Sequence, residues 1–518
     1  MSKRRRGGGR AARIAMRTAV NDDKKSPIQA GFMGGQYKPL KDDDVVRLHE
    51  AALEILETIG MGDPIPLLVE LATARGATVN DQGRLCFPKS LMDELIDGAA
   101  KEITLYGRIP KYDLKISKER VHYGTGGAAI SVLDFQTGKY RDSTLQDIYD
   151  FARLTDQLDN VHWFTRSVIA AELHDPYELD INTAYALVAG TQKHIGTAIT
   201  IAENVEPVTK LFDLVAGGEG EFKKRPFAKL HTSPIVPPLR YGEDASDTIV
   251  EAIKHGWPIN AITAGQSGAT SPATLAGTLV QTHAETLAAL ALVNLIKPGH
   301  PFIFSNWPFV ADLRTGAMTG GSAEGGLVNS AAAQLANYID LPSGVAGGMP
   351  DSKVPDMQAG YERGLNNVMI GLSGANLIYE SAGMLASLLS CSYEAFVIDN
   401  EANGYALRAI RGIEVTDETI GLGTIAETVA GPGHYLGTDQ TIKVMETEYL
   451  YPDLGDRTTP TQWAEYGATD IWQRARQRVQ ALMKNYPTYL SAEQDAEIRA
   501  QFDIQLPPEA TKLATGRW

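Results

Sequence analysis

Apolar and polar positions alternate in a regular rhythm from residue 161 onward. Apolar runs of strand length occur near residues 162–169, 194–200, 227–231, 259–263, 302–305, 344–346, 377–379 and 396–398. Helical spacing of apolar residues separates them at residues 176–190, 205–216, 244–255, 272–296, 323–337, 356–372 and 383–391. Eight such units over about 250 residues predict an α/β fold, a (β/α)₈ TIM barrel, over 161–413. A doubly wound open sheet is the alternative.

Two helix boundaries can be predicted from single residues. Ser271 followed by Pro272 is a capping residue followed by a first-turn proline, and it predicts the start of the longest barrel helix. Lys297, Pro298 and Gly299 predict its end.

The flanking segments follow other patterns. Residues 31–160 predict a helical and small β extension, with an amphipathic helix at 41–59 and short strands that include Val121–Tyr123. Residues 414–518 predict a helical extension that caps the barrel or mediates oligomerisation. Residues 1–30 are expected to form a disordered basic arm, since the first twenty carry seven Lys or Arg and no acid.

Charge and composition restrict the functional class. The formal net charge of −15 argues against a general nucleic-acid surface, although the basic arm leaves docking of nucleic acid or an acidic partner open. Two distant cysteines, Cys86 and Cys391, give neither a disulfide framework nor a cysteine-based zinc site. This cysteine usage predicts a reducing cytoplasm as the compartment. No apolar stretch is long enough to predict a membrane span.

Several catalytic signatures are missing. The sequence contains no GxxxxGK[ST] phosphate loop, no HExxH zinc motif and no GxSxG nucleophile motif. The GLGTIA run at 421–426 is interpreted as helix, and GTGGAA at 124–129 does not precede a convincing helix. No metal site and no acid–base catalytic residue are therefore predicted.

Chemistry in such a barrel lies at the carboxyl ends of its strands. Taken alone, each polar residue there is as readily a loop cap as a ligand. The candidates that follow the predicted strands are His231, Gln266, Asn306, Trp307, Gly347, Gly348, Asp351, Tyr379, Glu380 and Asp399.

Two longer motifs carry a resemblance. GGMPDSKVPDMQAGYE at 347–362 and HYLGTDQTIKVMETEYLYPDLGDR at 434–457 resemble the trimethylamine methyltransferase family, in its branch without pyrrolysine. The resemblance extends from about residue 30 over nearly the whole chain. It implies a (β/α)₈ barrel that transfers a methyl group from a quaternary amine, such as glycine betaine, to the Co(I) corrinoid of a separate protein.

That implied chemistry assigns roles to the candidates. Positioning is the main requirement, because the leaving amine is neutral and needs no proton. Trp307, Tyr379 and Phe309 are expected to face the cation, with Glu380 and Asp399 as anions. Donors to a betaine carboxylate are expected from His231, Gln266, Asn306, the backbone of Gly347 and Gly348, and His434 of the second motif. Replacing His434 by Ala is expected to weaken substrate binding.

The partners follow from the same resemblance. The corrinoid (cobalamin) is expected on a cognate protein, since this chain lacks a DxHxxG string, and no permanently bound cofactor is expected. A homo-oligomer is also expected. Three alternatives stay open: a binding protein for quaternary amines without catalysis, a methyltransferase with a folate acceptor, and an aldolase-type barrel with Lys353 as a Schiff-base lysine.

Overall fold

The computed structural model describes residues 26–484, 488–511 and 518. Most of the predicted basic arm thus lies outside the described residues. Eight parallel strands form a closed barrel: β1 Arg120–Tyr123, β2 Trp163–Thr165, β3 His194–Thr197, β4 Ala228–Thr232, β5 Ile259–Thr263, β6 Phe302–Asn306, β7 Ser343–Ala346 and β8 Leu377–Tyr379. The barrel closes where β1 pairs with β8 and Gly124 bridges to Trp163 of β2. The TIM barrel prediction is confirmed, and an open sheet is excluded by this closure.

A helix follows each strand. These are α1 Leu145–Asp156, α2 Pro176–Gly190, α3 Val205–Ala216, α4 Glu243–Lys254, α5 Leu275–Ile296, α6 Ala323–Tyr338, α7 Met357–Leu372 and α8 Tyr393–Arg411. Strand, helix and strand therefore succeed one another as a parallel barrel requires, and the carboxyl ends of the strands share one mouth.

The predicted eighth strand was wrong. Residues 396–398 lie inside α8, where Phe396 stacks on Phe151 of α1 with ring centroids 4.9 Å apart. A three-residue apolar run fits a buried helix as well as a strand, so periodicity alone could not decide. The predicted helix at 383–391 is instead a hairpin of Met384–Leu385 and Ser390–Cys391.

The missing strand comes from the N-terminal extension. The run assigned there at Val121–Tyr123 belongs to β1, which also pairs antiparallel with the short strand Phe32–Met33. Residues 120–160, placed in the extension, thus contribute β1 and α1 to the barrel.

The long helix α5 begins later than predicted. Thr274 caps it by accepting a hydrogen bond from the backbone N–H of Gly277, whereas the Ser271 hydroxyl contacts Thr278. Its end at Ile296 agrees with the predicted stop. By length and hydropathy α5 alone among the described helices would suffice to cross a membrane, but 83% of its most apolar window is buried within the protein. Such burial is typical of a core helix.

The N-terminal extension closes the end of the barrel opposite the mouth. Ile103, Leu105, Leu114 and Ile116 of one hairpin pack with the barrel-interior side chains of Trp163 and Leu377. The extension comprises strands Phe32–Met33, Thr78–Val79, Leu85–Cys86, Glu102–Leu105 and Leu114–Ser117, helices Asp42–Glu54, Pro66–Thr73 and Lys89–Asp97, a π-helical turn Ile55–Ile59 and a 3₁₀ turn Pro110–Tyr112. The barrel interior therefore opens toward the mouth.

The C-terminal extension is helical, as predicted. Helix Ile471–Lys484 buries Ala475, Val479 and Met483 and packs along α8. The other helices are Asp417–Ile420, Leu422–Ala430, Asp439–Val444, Pro460–Glu465 and Ala492–Gln501, with a 3₁₀ turn Pro508–Thr511. The GLGTIA run lies within Leu422–Ala430 apart from its first residue.

Candidate active site

A hydrogen-bonded network fixes the imidazole of His231 in the barrel. Asn260 Oδ1 accepts hydrogen bonds from Ser305 Oγ at 2.5 Å and from Tyr379 Oη at 3.0 Å. With its oxygen so used, Asn260 donates from Nδ2 to His231 Nδ1, 2.9 Å away. Burial lowers the pKa of His231 well below its ordinary value, so the ring is neutral. The proton of this neutral ring then sits on Nε2.

Aromatic rings form one wall of the mouth. The ring centroids of Trp307 and Tyr379 lie 5.1 Å apart, and His231 lies 5.7 and 5.3 Å from them. Phe309 extends the wall at 6.4 Å from Trp307, and Trp163 lies beneath Tyr379 at 5.3 Å. The predicted aromatic residues are therefore brought together. Adjacent aromatic faces are the surface to which a quaternary ammonium binds.

Four of the predicted residues present buried polar atoms that have no hydrogen-bond partner. These atoms are both side-chain amide atoms of Asn306, Nε1 of Trp307, Nε2 of Gln266 and both carboxyl oxygens of Glu380. Leaving one such group unpaired costs about 1–3 kcal/mol, and folded proteins rarely tolerate it. These unpaired atoms cluster at the carboxyl ends of β5, β6 and β8, where a polar ligand could bind to them.

Both carboxyl oxygens of Glu380 lack a hydrogen-bond partner among the described residues. Its residue has φ 60° directly after β8, and its side chain is fully buried. Burial raises the pKa of Glu380 to about 8, so the carboxyl is mostly protonated at neutral pH. A cation bound against it would favour the carboxylate.

The loop after β1 makes room for this carboxyl group and was missed from the sequence. A Cβ on Gly126 would stand 2.8 Å from Glu380 Oε1, and one on Gly124 would stand 2.1 Å from the Trp163 ring. The available signal was the glycine-rich GTGGAA following an apolar run, the same pattern that marked Gly347 and Gly348. The pattern alone does not single the loop out, because no helix follows it directly and α1 begins only at Leu145.

The loop at 347–353 is held from below by α7. Gly348 has φ 53°, and its backbone carbonyl accepts a hydrogen bond from Arg363 Nε at 3.0 Å. The backbone N–H of Asp351 donates to Glu362 Oε2 at 2.7 Å, and Asp351 Oδ1 accepts from the Gly320 N–H at 2.8 Å. Asp351 thus connects two loops at the mouth, and its carboxylate has this structural role.

Asp399 is a correction to the predicted anions. It lies in α8, not after a strand, and forms a buried ion pair with Arg363 while accepting a hydrogen bond from the Gly383 N–H. His434 is exposed in the segment between Leu422–Ala430 and Asp439–Val444, outside the barrel. Within one chain, the structure does not bring His434 to the mouth.

A second buried base, Lys229, was also missed. Its Nζ donates to Thr165 Oγ1 at 3.2 Å and lies 5.6 and 5.5 Å from the ring centroids of Trp163 and Tyr379. Burial lowers the pKa of Lys229 well below its ordinary value. The only signal was its position two residues before His231, which places both side chains on one face of β4.

The lysine of the aldolase-type alternative, Lys353, is not buried in the barrel as Lys229 is. Lys353 is exposed, and its Nζ donates to the Asp351 carbonyl at 2.6 Å in a loop. Among the described residues no three His, Cys, Asp or Glu side chains are grouped so that they could hold a metal ion.

Comparison with known proteins gives the family. A family model described as trimethylamine methyltransferase (MTTB) matches residues 6–504. Trimethylamine methyltransferase MttB of Desulfitobacterium hafniense is 33% identical over 466 residues, covering 89% of this chain and 93% of that protein. MttB of Methanosarcina barkeri is 32% identical over 470 residues, covering 89% and 94%.

Two further matches complete the comparison. A glycine betaine methyltransferase of Desulfitobacterium hafniense is 29% identical over 471 residues, covering 90% of this chain and 96% of that protein. The crystal structure of the Methanosarcina barkeri monomethylamine methyltransferase superposes with a TM-score of 0.47 at 14% identity, covering 86% and 95%. On the family model and the identities to MttB, the chain belongs to the trimethylamine methyltransferase (MTTB) family of enzymes.

Proposed function

We propose that this enzyme transfers a methyl group from a quaternary ammonium carboxylate, glycine betaine or a related betaine, to a corrinoid carried by a separate protein. The observation that carries the proposal is the pairing of an aromatic wall with the unpartnered carboxyl group of Glu380 in one mouth. Aromatic faces attract a cation with about 0.5–2 kcal/mol each, and a carboxylate adds charge pairing.

The donor atoms in the mouth support the carboxylate half of the substrate. Gln266, Asn306 and Trp307 each have a buried N–H group without a hydrogen-bond partner among the described residues. The neutral ring of His231, whose Nδ1 is bound to Asn260, offers its Nε2–H beside Trp307. These groups suit a carboxylate, which accepts hydrogen bonds only. Trimethylamine has no such group and would leave them unpaired.

The reaction needs positioning and little else from this chain. The C–N bond to one methyl group breaks with its electron pair staying on nitrogen, so a neutral tertiary amine leaves and no proton moves. A corrinoid presented at the mouth would supply the electron pair for the new bond to the methyl carbon. Fixing that carbon in line with the incoming metal is worth about 7–11 kcal/mol in favourable cases. The wall of Trp307 and Tyr379 supplies this alignment.

The spectrum of reduced cobalamin tests the proposal. Free cob(I)alamin is mixed with the enzyme and, separately, with glycine betaine, proline betaine, carnitine, choline or trimethylamine. Methylation with a betaine but not with trimethylamine is expected. Methylation only by trimethylamine, or transfer to tetrahydrofolate without cobalamin, would contradict it. Assembly into a homo-oligomer and a cytoplasmic location stay predictions.

A further inference from the structure

A lobe of three short helices, residues 413–448, projects from the protein without a core of its own. Of this range, all of which the structure describes, Thr428 is the only buried residue. The side chains of Ile413, Leu422 and Val429 are 85%, 72% and 76% exposed. Apolar side chains on ordered helices are ordinarily covered, and contiguous exposed ones mark an interaction surface. We call this range the acidic lobe, because acidic residues outnumber basic ones in it.

The lobe is attached to the end of the barrel opposite the mouth. Glu448 Oε1 accepts a hydrogen bond from Arg411 Nη2 at 2.8 Å, and the Glu448 carbonyl accepts one from Arg408 Nε at 2.9 Å. Both arginines lie in the last turn of α8. Because the 19-residue α8 is about 28 Å long and begins at the mouth, both ends of the lobe are anchored far from the active site.

Charge identifies what the lobe can bind. It carries seven acidic residues and a single basic one, Lys443. The acids are Glu414, Asp417, Glu418, Glu427, Asp439, Glu446 and Glu448. A basic segment with apolar residues is the complementary occupant.

Residues 1–25 of this chain have that composition. They contain nine Lys or Arg against Asp22 and Asp23, together with Ile14, Met16 and Val20. The described chain starts beside the lobe, because the carbonyl of Pro27 accepts a hydrogen bond from Arg411 Nη1 at 3.3 Å. Twenty-five residues reach at most about 80 Å, which is ample for a surface that begins at the same arginine.

We propose that residues 1–25 dock on the acidic lobe of the same chain, because its carboxylates and its exposed Leu422 and Val429 complement a basic segment that contains apolar residues. The basic segment then has an acidic partner within its own protein and is not a nucleic-acid arm. The proposal is independent of the function proposed for the barrel mouth.

Limited proteolysis of the full chain tests the docking. Trypsin cleaves after Lys and Arg, so loss of residues 1–25 is followed by mass spectrometry, with a synthetic peptide of the same sequence as the unprotected reference. At about 0.05 M salt the segment should be cleaved about tenfold more slowly than the peptide, and at about 1 M salt at the rate of the peptide, since screening weakens ion pairs.

A matched pair of variants locates the contact. Glu414→Gln, Asp417→Asn, Glu427→Gln and Asp439→Asn together should abolish the protection. The control neutralises four exposed acids of the N-terminal extension, Glu70, Asp81, Asp93 and Asp97, and should keep it. Cleavage of the wild-type segment at the peptide's rate in low salt would overturn the proposal. So would protection that rises with protein concentration, which indicates a second copy, or protection removed by nuclease.

Discussion

Arg363 and Asp399 form an ion pair that is almost completely removed from solvent, with side-chain exposures of 4% and 2%. Arg363 also donates from Nε to the carbonyl of Gly348 and from Nη2 to the carbonyl of Met384. One guanidinium therefore joins α8, the loop after β7 and the hairpin after β8. The pair positions the mouth without facing the substrate.

Asp399→Asn should destabilise the protein strongly, because it leaves the charge of Arg363 buried and uncompensated. Breaking a buried pair costs about 3–5 kcal/mol. Denaturation by urea measures the loss. Asp312→Asn removes the partner of Arg314 in an exposed pair and serves as the control, for which the midpoint should stay unchanged. Equal urea midpoints for the two variants would show that the buried ion pair contributes no more to the free energy of unfolding than the exposed one.

Gly348→Ala should lose most activity. A Cβ there would stand 2.6 Å from the Glu380 carbonyl oxygen, and the residue has φ 53°, which side chains rarely adopt. Gly316→Ala separates the backbone strain of a positive φ from the close contact with Glu380. Gly316 also has a positive φ, but there is open space around its Cβ position. If Gly348→Ala and Gly316→Ala had similar activity, the close packing of Gly348 against Glu380 would not be required for activity.

The sequence predicted the repeating architecture well because periodicity and loop glycines reflect the backbone directly. It failed where a short apolar run was ambiguous. Residues 396–398 are all apolar whereas Val121–Tyr123 includes His122, yet pairing with β8 shows that Val121–Tyr123 completes the barrel. Asp399 was wrongly predicted to follow a strand because residues 396–398 were taken as one. Glu380 does follow β8, as predicted, and its role in binding stays a prediction. Lys229 was missed because its only sequence signal was its spacing of two residues from His231, which places both side chains on one face of β4.

Trp307→Leu should weaken binding of a quaternary ammonium compound by about 1–2 kcal/mol, the worth of one desolvated aromatic face. The Trp307 ring stands 5.1 Å from Tyr379 and 5.7 Å from His231, so Leu leaves apolar contact but removes the ring. Calorimetry with choline and with its neutral carbon isostere, 3,3-dimethylbutanol, isolates the charge. Equal losses for both ligands would assign Trp307 to packing alone.

Glu380 should make substrate binding depend on pH. The pKa of its buried carboxyl is raised to about 8, so the free enzyme carries it protonated below that pH. A cationic substrate favours the carboxylate and must release the proton on binding. Affinity should therefore rise about tenfold per pH unit between pH 6 and 8 and then level off.

Glu380→Gln should flatten this dependence and reduce the affinity above pH 8. Calorimetry in two buffers of different ionisation enthalpy counts the protons released on binding. Glu285→Gln is the matched control, because burial also raises the pKa of Glu285, to about 7, while its Oε1 accepts hydrogen bonds from the Leu239 N–H and Gln281. It lies in α5, so its loss should leave the pH dependence of binding intact. Proton release that survives in Glu380→Gln would place the titrating group elsewhere and remove Glu380 as the anion that meets the substrate.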